Sequence, residues 1–235
     1  MLKNLKMKQI ASAVLLMASL SSHAALTTLT PADGWPPLGS TGLQDVLFNV
    51  SSGGGVKVAT GAHNYKEGAL MANDGVDKFY ANPGFSPNPN TSFARWSYDY
   101  VVNYGTGKLG DYVTTFSFDI DPTDGVSYFN TSFSSANCGA IPTAGGPVSI
   151  CGLSVLADSQ NPVFVYAQLA LLGSGFTFDP TAVGNYGFKV SVTAPNSTSF
   201  GAVSSAITVD VPEPASLALV GLGLAAAGFA RCRRA

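Results

Sequence analysis

The sequence predicts an all-β fold, an antiparallel β-sandwich of the jelly-roll or immunoglobulin-like kind. Three observations lead there. Side chains alternate with period two from Phe93 to Tyr104, with Trp96, Tyr98, Tyr100, Val102 and Tyr104 on one face and Arg95, Ser97, Asp99 and Asn103, together with Phe93 and Val101, on the other. Short stretches rich in aromatic and β-branched residues recur between Gly and Pro clusters at regular spacing. Gly, Ser, Thr and Asn are abundant and long helical stretches nearly absent, the composition of an extracellular all-β domain.

The chain begins with Lys3, Lys6 and Lys8, an apolar run from Ile10 to Leu20, and the small-x-small sequence Ser22-His23-Ala24. A positive start, a short apolar segment and such a cleavage site predict a signal peptide over 1–24, and the run is too short for a membrane anchor. The exported domain is then expected over 25–210. Leu26 to Ser40 reads as an extended lead-in. Gln44–Val50 and Val56–Thr60 read as strands around the Ser51–Gly55 link, Tyr65–Ala72 as one or two helical turns, and Asn82–Asn90 as a proline-broken loop. Further strands are expected from Phe93 to Tyr104, Tyr112 to Ile120, Val126 to Phe133, Val148 to Leu156, Pro162 to Leu171, Asn185 to Thr193 and Phe200 to Val211.

Charge narrows the choice of partners. Between Ala25 and Val211 stand six basic and thirteen acidic side chains, a net charge of −7. That argues against nucleic acid or an anionic lipid surface, since both need clustered Lys and Arg. Cys138 and Cys151 are the only cysteines of this body. In an oxidising compartment a disulfide closing the loop between them is the favoured reading, with two buried thiols as the alternative.

Catalytic groups are few. His63 is the only histidine of the exported body and is expected in a surface loop. A zinc site built on several histidines is therefore out of reach within one chain, and no Gly-x-Ser-x-Gly elbow lies on a strand-to-helix turn. A glycosidase-like carboxylate pair would need two aspartates, because Glu67 is the sole glutamate there. The best ligand candidate is Asp119, Asp121 and Asp124, three carboxylates around a strand end and a glycine turn. They offer either a calcium site or aspartates that simply cap the backbone. Asn73-Asp74-Gly75-Val76-Asp77 is a weaker stretch of the same kind. Trp35, Trp96, Tyr98, Tyr100 and Tyr104 form either a sugar-stacking surface or core. No cofactor is expected beyond that calcium.

The last stretch has three parts. Pro212, Glu213 and Pro214 make a stiff break that neither strand nor helix crosses. Ala215 to Ala230 is uncharged, sixteen residues or roughly 24 Å of helix against a ~30 Å hydrocarbon core. Arg231, Arg233 and Arg234 follow as a positive-inside stop. This order resembles the PEP-CTERM sorting signal of Gram-negative bacteria, here over 211–235, although Cys232 is not part of the usual pattern. The resemblance implies recognition of Pro212-Glu213-Pro214 by an exosortase, a membrane-embedded cysteine protease-transpeptidase, and removal of a transmembrane helix. Passage to the cell surface or extracellular matrix follows, and the membrane holds the chain only transiently. Trp96–Gly125 and Phe176–Val211 also look like the bodies of PEP-CTERM proteins, a likeness that brings no activity with it. The expectation is an exported non-enzymatic surface or matrix protein associated with extracellular polysaccharide. A lectin-like module, with or without calcium, is the alternative, and a secreted glycan-active enzyme the third reading.

Overall fold

The longest alternating stretch does form a strand, and it lies at the heart of the molecule. The structure is a computed structural model. It describes residues 25–35, 43, 46–67, 70–87, 92–119, 121–123, 125, 127–139, 149–171, 173, 175–194 and 202–212. The expected signal peptide and most of the C-terminal segment, from Glu213 on, lie outside these residues. Among the described residues ten strands make two sheets: β1 (Phe48–Gly53), β2 (Val56–Asn64), β3 (Ala72–Asn73), β4 (Lys78–Tyr80), β5 (Trp96–Asn103), β6 (Val113–Asp119), β7 (Tyr128–Phe133), β8 (Val155–Gln160), β9 (Gly184–Thr193) and β10 (Val203–Val211). One sheet runs β1-β2-β5-β8 and the other β3-β4-β10-β9-β6-β7. They pack as an all-β sandwich, and the one α-helix among the described residues is the short α1 (Pro162–Leu171).

The inner faces supply the core. Trp96, Tyr98 and Tyr104 from β5 and its end meet Phe79, Phe116, Tyr186, Phe188 and Val209 from the other sheet. Tyr98 and Phe188 lie 4.9 Å apart by ring centroid, and Phe118 and Phe188 5.0 Å, within the range where aromatic pairs add to burial. The buried Tyr104 hydroxyl bonds Thr114 Oγ1 at 2.8 Å, and loss of solvent pushes that phenol up to about 12. A polar seam crosses between the sheets. Ser205 donates to the Asn49 carbonyl at 2.6 Å and meets Thr60 Oγ1 at 2.7 Å, while Asn49 Nδ2 donates to the Ala206 carbonyl at 2.9 Å. Each buried polar group of the seam thus has a partner, which fixes the register of one sheet on the other.

Several expectations change. The sandwich is not wholly antiparallel, because β4 pairs in parallel with β10, Lys78 opposite Thr208 and Tyr80 opposite Asp210. The long excursion between them, which builds β5 to β9, allows this where a short hairpin would not. Lys78 Nζ closes the pair on Asp210 at 2.8 Å. The stretch 162–171 is helical, not extended. Asn161 accepts the Val163 N–H on its side-chain oxygen at 3.2 Å and Pro162 opens the first turn, so local capping overrides the β-branched residues. Asn161 Nδ2 also donates to the carbonyls of Ala94 and Trp96, which ties the helix start to β5. The turn at residues 65–67 does not continue as a helix into residues 70–71. Residues 149–154 are irregular, and β8 begins only at Val155.

The lead-in is more than a spacer. A 3₁₀ turn at Pro31–Asp33 ends on Gly34 in a left-handed conformation, φ 74°. Trp35 then packs on the outer face of the four-stranded sheet with Leu43, Val46, Phe48, Ala59 and Val101. Asn103 Nδ2 donates to the Gly34 carbonyl at 2.9 Å, and Lys57 sits over the Trp35 ring at 5.7 Å. Gly61 is required beneath this cover, since a Cβ there would meet the Leu47 carbonyl at 2.4 Å.

Candidate functional site

The final strand of the body leads directly into the expected sorting tripeptide. β10 lies between β4 and β9, and Val211, its last residue, is only 1% exposed. The next residue, Pro212, is already exposed. Gly184, opposite Val211, has φ 147°, and a Cβ there would meet the Pro122 carbonyl at 2.2 Å. Asn185 donates its backbone N–H to that same carbonyl at 3.0 Å. The loop after β6 is thereby pinned beside the point where the chain leaves the fold. Pro212 is the part of the tripeptide that is described. Glu213, Pro214 and the basic cluster Arg231, Arg233 and Arg234 lie outside the described residues.

The acidic loop uses its carboxylates on its own backbone. Asp119 is buried and accepts the N–H groups of Ser127 at 2.9 Å and Asp121 at 3.3 Å. Asp121 in turn accepts the Thr123 N–H at 3.1 Å. Asp124 lies outside the described residues. Asp74 does the same work elsewhere, taking the N–H groups of Val76, Lys78 and Asp77 at 2.8–3.1 Å. Desolvation opposes ionisation there, yet those backbone donors together hold its carboxyl below the usual value. Among the described residues no three His, Cys, Asp or Glu side chains gather where a metal ion could sit.

Cys138 and Cys151 are joined in a disulfide with their Cα atoms 5.0 Å apart. Cys138 is fully buried at the edge of the main core. Ile150 donates to the Cys138 carbonyl at 2.9 Å and Gly110 to that of Cys151 at 3.0 Å. The bridge therefore fastens the segment after β7 to the short 3₁₀ turn Leu109–Asp111 ahead of β6.

The aromatic residues named for sugar stacking are internal. Trp96, Tyr98 and Tyr104 are at most 1% exposed, Trp35 is 6% exposed, and Tyr100 stands edge-on to Phe116 at 4.8 Å. His63 is not in a surface loop. It lies in β2 opposite Ser97, with Nδ1 at 2.8 Å and 3.0 Å from the two carboxylate oxygens of the buried Asp99. Burial pushes the Asp99 carboxyl up, and its bond to His63 pulls the other way. The Ser97 hydroxyl, fully buried beside this pair, has no hydrogen-bond partner. The three residues do not form an open nucleophilic site, since neither Ser97 nor Asp99 reaches solvent. The alternation of β5 already put Ser97 and Asp99 on one face. What was missing was the register that brings His63 to them.

The described body is thus a two-sheet β-sandwich whose last strand runs straight into a targeting segment. Over residues 210–234 the sequence matches the family model of the PEP-CTERM protein-sorting motif, and the chain carries that motif. The motif implies recognition by an exosortase, a membrane protease, and export across the membrane to the cell envelope or surface. Comparisons with curated proteins and with solved structures return no match.

Proposed function

We propose that this is a non-enzymatic protein of the cell surface or extracellular matrix, exported, processed at Pro212-Glu213-Pro214 and associated with extracellular polysaccharide. The observation that carries this reading is the junction. Among the described residues the last strand ends at the buried Val211, Pro212 is already exposed, and the sorting motif, matched from residue 210, takes over at that point. In this reading Ala215–Ala230 crosses the membrane as a helix and the three arginines hold its far end in the cytoplasm. The scarcity of catalytic groups supports a binding or structural role. The one histidine of the body is engaged with a buried aspartate, and the aspartates of the candidate calcium loop bind backbone N–H groups. The lectin-like alternative is not pursued, because the aromatic side chains it relied on are buried or packed against the cores, Trp35 beneath the cover of the outer face and the others between the sheets.

Mass spectrometry of the protein from the producing bacterium, with and without its sorting protease, tests the processing. The tail is expected to be missing only when the protease is present. An intact 215–235 segment in both strains overturns the proposal. Co-sedimentation with extracted matrix polysaccharide tests the association, and protein left wholly in the supernatant would remove that part.

A further inference from the structure

Apolar side chains that remain exposed are unevenly placed on this body. Among the described residues seven large hydrophobic side chains are exposed, and six of them lie at the end of the sandwich from which the chain exits; Tyr128 opens β7 opposite Asp119, beside the loop that meets Gly184. Tyr80 ends β4 opposite Asp210, and Leu70 lies just beyond Ala72, the strand partner of Tyr80. Val183 precedes Gly184, which pairs with Val211. Phe85 bridges to Ala94 next to Gly84, whose N–H reaches the Pro180 carbonyl at 2.7 Å. Phe164 stacks at 4.9 Å on Phe93, the neighbour of Ala94 in the chain. Leu153 is at the opposite end, beside the start of β8. Single exposed hydrophobics are ordinary, but a cluster around one exit point marks a contact.

The length of the exit segment says what the contact is. Three residues, Pro212 to Pro214, separate the fold from the apolar segment, and fully extended they span about 10 Å. The headgroup layer on one side of a bilayer is about 5–8 Å thick, the difference between the ~30 Å core and the whole ~40–45 Å membrane shared over two faces. Two prolines make the spacer stiff. A body held on such a short rod has its exit end pressed onto the lipid.

We propose that the end bearing Leu70, Tyr80, Phe85, Phe164 and Val183 is a membrane-contact face. It rests on the phospholipid surface of the compartment to which the body is exported, for as long as the tail is in place, and cleavage frees it. This rests on the reading of Ala215–Ala230 as a spanning segment. The contact is apolar, since a body of charge −7 gains nothing from anionic headgroups.

The test uses the full mature chain, with Cys232→Ser, in phosphatidylcholine vesicles containing a nitroxide-headgroup lipid. A fluorophore is attached at Phe85→Cys, at Phe164→Cys or, as the control, at Leu153→Cys. Flotation with the vesicles reports the tether. Quenching several-fold stronger at 85 and 164 than at 153 is expected. Flotation with equal quenching at all three sites overturns the contact face and leaves the tether standing, whereas failure to float removes both. Unlabelled protein gives a second readout that no substitution can disturb. Amide exchange over 82–87 should be slower in vesicles than after removal of the tail, and equal rates would count against the face.

Discussion

The two faces of the four-stranded sheet are both buried, but by different means. The inner face meets a second sheet, strand against strand, and its side chains come from residues two apart on β5 and β2. The outer face is covered by irregular chain, with Trp35 and Leu43 laid over Phe48, Ala59 and Val101. A face covered by a sheet is locked by ladders on both sides. Among the described residues the loop-covered face is held by the Trp35 ring, by Leu43 and Val46, and by a few hydrogen bonds. The same residue type anchors each, Trp96 inside and Trp35 outside, so the difference can be measured directly.

Trp96→Ala should have the largest effect. It empties a fully enclosed site next to Tyr98, Phe178 and Tyr186, at a cost of about 3–5 kcal/mol. That is a large share of the ~5–15 kcal/mol that stabilises a domain, and urea denaturation should show a body close to unfolded. Next comes the Cys138→Ser, Cys151→Ser double variant. It opens a bridge spanning 13 residues and should cost about 3 kcal/mol, seen as a lower Tm, because the inner core has a covalent belt and the outer one does not. Trp35→Ala should cost less, about 1–3 kcal/mol. Its main signature should be faster amide exchange at Ala59 and Val101 while β9 and β10 stay protected. An effect of Trp35→Ala equal to that of Trp96→Ala would erase the distinction between the faces.

The smallest expected effect concerns pH, and it too belongs to the outer face. Asp99 is more easily protonated in the folded chain than in the unfolded one, chiefly through burial and against the pull of His63. Its contribution is therefore fully present below the ordinary carboxylate value of 3.8 and is lost as pH rises through the higher folded value. Asp99→Asn should flatten that decline in a series of melting temperatures from pH 4 upward. An unchanged slope would show that Asp99 does not govern it.

This contrast also separates what could be read in the residue order from what could not. The inner core was legible where alternation along the stretch of β5 marks one side of the strand directly, and the stretches of β6, β9 and β10 were expected as strands. The outer cover was not, since Trp35-Pro36-Pro37 has no period and its docking depends on a face completed much later in the chain. The short strands β3 and β4 were missed for a related reason: two or three residues cannot show a period, and their pairing is with β10. At Pro162 a capped turn outweighed a run of residues suited to strands. The sorting motif is the opposite case, legible in full because its parts follow one another without help from the fold.

The position of β10 sets an order of events. Its hydrogen bonds join β4 to β9, and its side chains reach across to Asn49 and Thr60. A chain exported from its N-terminus delivers this strand last of the ten, as the sorting motif begins. Until residue 211 has emerged, β4 and β9 wait with open edges and the larger sheet is split in two. Arrival of the keystone strand and arrival of the cleavage signal are then one moment, so the scissors reach the chain only when assembly has everything it needs.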